Sequence, residues 1–159
     1  METLDHLSDS TRVWVYQSNQ PFKAEDEDKV REYIQQFATQ WVSHNRQLKA
    51  FGDLVHRQFV VLMVDESQAG ASGCSIDSSV RFIKALQAEY QLDLFDRMTF
   101  TYLEGDSVKT ASRDTFANLY QEGTINDDTL VFDTLVDNKA KFETAWIKPL
   151  GQSWHKRMV

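Results

Sequence analysis

The sequence predicts one α+β domain in which a core of order β-α-β-β-α-β carries helices on one face of its sheet and is followed by a C-terminal α/β extension. Three observations carry this. A helical stripe runs through residues 30–42, a continuously apolar run occupies 59–64, and a period-two run occupies 98–103 after a second helical stripe. This is the split βαβ, ferredoxin-like order, and the right-handed crossover rule leaves few other arrangements for the same pieces. The whole chain, 1–159, is read as a single domain with its core at about 12–104 and its extension at about 105–159.

Each element has a local reason. Val13-Trp14-Val15-Tyr16 is β-branched and aromatic, and Ser18-Asn19-Gln20-Pro21 closes it with turn chemistry, giving the first strand. Val30, Tyr33, Ile34, Phe37, Ala38, Trp41 and Val42 recur at the spacing of one helix face, behind an acidic start at 25–28 that suits the positive end of the dipole. Residues 48–56 are mixed and contain Gly52, whereas Phe59-Val60-Val61-Leu62-Met63-Val64 is apolar throughout. The pair reads as an outer strand beside one buried on both faces. A small-residue loop at 67–73 leads to Ile76, Val80, Ile83, Leu86 and Tyr90, the stripe of the second helix, and Met98 to Leu103 alternates as the fourth strand. Beyond Gly105 the sequence predicts a short helix at about 112–121, an apolar run Leu130-Val131-Phe132 and a helix near 139–147 stopped by Pro149. This extension either lengthens the sheet or covers one of its faces.

Composition narrows the function. At 159 residues with 42% hydrophobic content the chain can bury a core unaided. Twenty-four acidic against 17 basic residues leave a net charge of −7, and no basic block exceeds the Lys156-Arg157 pair, which disfavours nucleic acid as a partner. One cysteine, no apolar run approaching the ~20 residues that span a bilayer, and an acidic start at Glu2, Asp5 and Asp9 predict an acidic, cytoplasmic protein without membrane insertion.

Known motifs fail on specific residues. No Gly-Lys-Ser/Thr occurs, so the backbone-and-lysine cradle of a P-loop is missing. Asp133, after Leu130-Val131-Phe132, resembles a strand-end nucleophilic aspartate, but Leu135 stands where a second aspartate is needed. His6, His44, His56 and His155 are not paired at metal-ligand spacing with one another or with Cys74, and neither a metal nor a cofactor is expected. The sheet strands lack the Gly-aromatic-Gly-aromatic core of an RNA-recognition domain. Trp154, in the aromatic and basic end 151–157, either docks the tail or faces a partner.

One segment could carry chemistry. Cys74 lies near the start of the second helix, where unpaired amides and the dipole lower a thiol's pKa and hold anions. On the functional reading Cys74 and His155 are catalytic candidates, and Gly73, Cys74, Ser75, Asp77 and Arg81 form a site for a small anionic ligand. On the other reading Gly73-Cys74-Ser75 is helix-capping chemistry, and Asp65, Glu66 and Asp77 oppose a thiolate. Arg81 stands one position too late for the Cys-five-residue-Arg phosphatase loop.

Residues 71–83, Asp93-Leu94-Phe95-Asp96-Arg97, Val131-Phe132-Asp133 and Ser153-Trp154-His155 together carry a resemblance. Nearly end to end, the chain resembles a family of uncharacterised Bacteroidetes proteins of about this length that often bear the automated label "ABC transporter ATPase". The resemblance implies a bacterial, cytoplasmic setting and transfers no catalytic residue. The ATPase label conflicts with the missing Walker lysine. The expectation that results is a non-enzymatic domain binding a protein or a small ligand, with a Cys74-dependent enzyme or thiol sensor as the alternative.

Overall fold

The computed structural model describes residues 4–67 and 69–159. Strands β1 (Arg12–Gln17), β4 (Lys49–Val55) and β5 (Phe59–Asp65) form an antiparallel sheet in the order β1-β5-β4. Between β1 and β4 come helix α1 (Glu27–Gln40) and a small hairpin, β2 (Val42–Ser43) with β3 (Arg46–Gln47). Helix α2 (Gly73–Tyr90) follows β5. A second antiparallel sheet, ordered β7-β6-β8-β9, is built from β6 (Thr99–Glu104), β7 (Ser107–Ser112), β8 (Leu130–Phe132) and β9 (Ile147–Pro149). Helix α3 (Arg113–Gln121) follows β7, and α4 (Lys139–Ala145) follows β8. The chain ends in 3₁₀ turns at Leu150–Gln152 and Trp154–Met158.

All seven residues of β5 are buried, because the strand is paired on both edges and covered on both faces. Val60, Leu62 and Val64 point to one face, where they meet Val30, Ile34 and Ala38 of α1 and Ile83 and Leu86 of α2. Phe59, Val61 and Met63 point to the other, against Phe132 and Trp146 of the second sheet region. The far face of the second sheet places Phe100, Tyr102 and Val131 on Phe116 of α3 and on Leu150. The layers therefore run helix pair, sheet, sheet, helix. The alternation of each strand supplies two cores from one set of residues.

Several contacts set the spacing of the layers. A Cβ on Gly52 of β4 would stand 2.8 Å from Ile34 Cγ2, so glycine is what lets α1 lie this close to the sheet. Trp41, at the C-terminal end of α1, is buried, packs its ring 5.1 Å from Phe37 and 5.7 Å from Trp14, and donates Nε1–H to the Ser75 carbonyl at 2.8 Å. On the opposite face Phe59, Phe132 and Trp146 form a triangle of rings with centroids 5.0–5.1 Å apart.

The α+β class and the outer-strand, buried-strand pair at β4 and β5 match the sequence reading. The four-stranded ferredoxin-like sheet is not assembled, however. Strands β1, β5 and β4 hold the neighbour order that fold requires, but β6 joins β7 and β8 rather than extending along β1. The reason lies in the extension, which fills both edges of β6: β7 pairs along six residues through a hairpin at Gly105, whose φ of +63° suits glycine, and β8 takes the other edge. Strand β7 was not visible in the sequence: Ser107-Val108-Lys109-Thr110-Ala111-Ser112 has little apolar content and only Ala111 is buried. Helix α1 stops at Gln40, and Val42, counted on its stripe, is instead 48% exposed in the β2–β3 hairpin, turned by His44 and Asn45 at positive φ. Pro149 lies in β9, a sheet-edge strand, where it costs no interior ladder bond.

Trp41→Ala is expected to cost about 3–5 kcal/mol, the range for emptying a large buried aromatic site, with the loss of the bond to Ser75 included. Denaturant unfolding measures this directly, and a loss below about 1 kcal/mol would mean that the ring does not bridge α1 and α2 as described.

Candidate functional site

The start of α2 is closed by serine chemistry. The N-cap is Ser72, whose hydroxyl accepts the Ser75 amide at 3.2 Å while the Ser75 hydroxyl accepts the Ser72 amide at 2.7 Å, a reciprocal capping box. Ser75, not Asp77, is therefore at N3. Glu66 accepts the Ala71 amide at 3.0 Å and brings a carboxylate to the same loop. Cys74 is exposed, as are Asp77 and Arg81, while Ser75 is buried against Trp41. His155 does not join them. Its ring lies in the C-terminal turn, stacked on Trp154 at 3.8 Å and edge-on to Phe100 at 5.4 Å.

A cleft of about 680 Å³ opens elsewhere, along the outer edge of β1, and His155 is part of its wall. On one side stand Ile76 and Val80 of α2 and the loop carrying Phe95; on the other stand Phe132, Trp154 and His155. Along this edge of β1 the hydrogen bonds to the rest of the chain lie near the two ends of the strand among the described residues. At one end Gln17, buried, donates from Nε2 to the Thr99 carbonyl at 2.5 Å and accepts from the Thr101 hydroxyl at 2.8 Å. At the other, Val13 donates to the Asp137 carbonyl at 3.0 Å and Lys139 donates to the Thr11 carbonyl at 2.9 Å. Between the two clamps the edge is open.

The chemistry of the cleft is apolar with a few fixed polar groups. His155 is 1% exposed, and its Nδ1 lies 2.7 Å from the Ser153 hydroxyl. Its Nε2 has no partner among the described residues, and it is not one of the fully enclosed unsatisfied atoms, which there are Ser43 Oγ and Trp146 Nε1. The His155 ring forms part of the cleft wall, and Nε2 donates or accepts according to which nitrogen holds the proton. Burial pushes His155 down from 6.5 to about 4; Asp133 opposes the fall and Lys148 adds to it. The imidazole is thus neutral at pH 7. Burial raises the Tyr16 phenol, and a hydrogen bond with Ser79 works against that rise.

Asp133 is not poised as a nucleophile. Its carboxylate accepts from Lys148 Nζ at 2.7 Å, from Trp154 Nε1 at 2.9 Å and from the Leu135 amide at 2.9 Å. Burial alone would raise its pKa, but these donors outweigh burial and lower it. Trp154 is thereby docked on the body and positions the neighbouring His155. Among the described residues no group of three or more His, Cys, Asp or Glu side chains is placed to hold a metal ion, and no helix is long and apolar enough to cross a membrane. Of the sequence candidates only His155 lines the cleft. Ile76 and Val80 were assigned to the core by their spacing, yet they are half-buried cleft residues; Ser75 and Ser79 occupy the buried face of that part of α2 instead.

Because His155 must lose its proton to stay buried, protonation favours the unfolded chain. The stability its neutral form allows is complete above pH 6.5 and is lost as pH falls through about 4, of order 3 kcal/mol in total. Asp65 acts lower. Burial would raise its carboxyl, but the Ser67 and Ser8 amides, the Ser67 hydroxyl and Lys49 hold it at about 2, so its contribution is present above 3.8 and disappears only below that. In wild-type unfolding curves the stability is expected to drop between pH 6.5 and 4, and His155→Phe should flatten that limb while leaving the decline below pH 3.8. An unchanged limb in the variant would assign the drop to another group.

Comparison of the chain with family models, with curated proteins and with solved structures gives no match.

Proposed function

We propose that this chain is a non-enzymatic, cytoplasmic binding domain whose site is the cleft beside β1, and that it receives a small, largely apolar ligand without a net charge. One observation carries the reading: a cleft of about 680 Å³, within the usual size of small-ligand sites, contains a buried histidine whose Nε2 is unpartnered among the described residues. Half-buried Ile76 and Val80, together with Phe95, which is 38% exposed, give the apolar walls. The buried residues of the lining carry no formal charge, and the charged ones, Asp96, Arg97 and Asp137, are not buried, so the enclosed part of the cleft suits a neutral ligand. A small anion at the start of α2 is less well supported, because Ser72 and Glu66 already accept amides of that segment.

The architecture fits a further part of the proposal. The β1-β5-β4 sheet with α1 and α2 on one face is read as a ferredoxin-like unit whose fourth strand, β6, has been drawn off by the extension, so that the cleft lies where β6 would have paired with β1. The resemblance to the Bacteroidetes family is retained on the same footing, without its ATPase label.

The neutral dye 1-N-phenylnaphthylamine tests the site. Its emission is expected to rise saturably on mixing with the protein, and Val80→Trp, which fills the cleft from the α2 side, should weaken binding about tenfold or more. Absence of saturable binding to a folded wild-type protein would remove the cleft as a ligand site. ATP is expected neither to bind at micromolar concentration nor to be hydrolysed. Turnover that is lost on mutation of a defined site would overturn that expectation.

A further inference from the structure

The open edge of β1 says more about the ligand. In an antiparallel ladder a residue sends its N–H and C=O to the same side, and the side alternates along the strand. Ser18, just beyond β1, donates to the Gln58 carbonyl on the β5 side at 2.8 Å, whereas Val13 donates to Asp137 on the opposite side at 3.0 Å. Trp14 and Tyr16 therefore pair with Leu62 and Val60 of β5, and Val13, Val15 and Gln17 direct their main-chain groups outward. Val13 N–H is taken by Asp137, and the Gln17 side chain ties that end to β6. Val15 N–H and C=O have no hydrogen-bond partner among the described residues, and Val15 lines the cleft.

We infer that the ligand carries a hydrogen-bond acceptor and donor side by side, as in an amide or lactam, and that this pair docks on the Val15 N–H and C=O with apolar groups on either side. The inference rests on the cleft being the ligand site, as proposed above. A main-chain pair inside an apolar cleft is costly to leave dry and unmatched, so a ligand that displaces water gains by matching both groups. The clamps at Asp137–Lys139 and at Gln17–Thr99 block both ends of the edge. A continuous added strand cannot run past them, which limits the occupant to a molecule that pairs with one residue. His155 in the cleft wall is neutral as well, and the charged lining residues, Asp96, Arg97 and Asp137, are not buried, so the enclosed groups do not call for a charged partner.

Two compounds of nearly equal size separate the possibilities: 2-quinolinone, a neutral lactam, and 2-methoxyquinoline, in which the donor is lost and the carbonyl is masked. Titration of the full chain, followed by amide proton–nitrogen spectra, is expected to show about tenfold tighter binding of 2-quinolinone, with the Val15 amide among the signals that move most. Val15→Pro deletes an outward N–H without removing a ladder bond to β5 and, with the C=O kept, should lower the affinity ratio of the two compounds severalfold. If that variant does not fold, the Val15 amide shift in the wild-type protein decides. Equal affinities, or binding of 2-quinolinone that leaves the Val15 amide unmoved, would overturn the inference while saturable 1-N-phenylnaphthylamine binding left the cleft reading standing. Failure of all three compounds to bind would overturn both.

Discussion

Strand β5 is apolar at every position except its last, Asp65, and is buried at all seven, and such a strand cannot be satisfied by one packing layer. Its even-numbered side chains require the helix pair and its odd-numbered side chains require a second apolar surface. The C-terminal third of the chain supplies that surface through Phe132 and Trp146. From this follow the two-sheet stack, the removal of β6 to the second sheet and the diverging seam along β1. Asp65 ends the strand where burial meets hydrogen-bond donors, and it stays ionised because the Ser8 and Ser67 amides and Lys49 surround it.

The cleft is a by-product of that stack that the polar residues keep open. Two sheets in full contact would have brought a strand against β1; here a side-chain amide, Gln17, does at one end what a main chain would do along a whole edge. A glutamine can bridge two main chains that stand further apart than strand neighbours, and it leaves room beside it. The other end is closed by a short main-chain contact with 137–139, anchored because Lys139 is buried and donates from Nζ to the Leu7 carbonyl at 2.9 Å. The open stretch in between is thus held between two fixed points, which is the kind of rigidity a preformed ligand site needs.

The histidine is held in place by a chain of contacts from the same extension. Lys148 of β9 and Trp154 both bond to Asp133, and Trp154 stacks on His155, which shares a hydrogen bond with Ser153. The strand-end aspartate therefore acts as an anchor for the C-terminal turn, a structural role that leaves its oxygens fully engaged. Cys74 sits apart from this arrangement, exposed at the second position of a helix whose cap is made by serines.

Most of the elements were legible in the sequence because they depend on neighbours along the chain. The periodicity of Val30, Ile34 and Ala38 identifies α1, the unbroken apolar run identifies β5 as buried on both faces, and the apolar Leu130-Val131-Phe132 marks β8. His155 was legible only as an unpaired histidine, and the Ile76 and Val80 stripe read as core because helical spacing reports which residues share a face, not what covers that face. Strand β7 gave no signal, since its residues satisfy a partner's main chain rather than bury side chains. The site itself had no sequence signature: Val15 contributes its backbone, and Gln17 matters through two atoms of residues more than 80 positions away. Local periodicity, turn chemistry and charge, which a sequence determines by itself, established the α+β class, and the sequence alone shows that no Gly-Lys-Ser/Thr segment occurs. Which strands became neighbours, and therefore where a gap was left between them, was decided only in the tertiary structure, where β7 and β8 rather than β1 took the edges of β6, and the pairing with β8 is a long-range contact that no short segment contains.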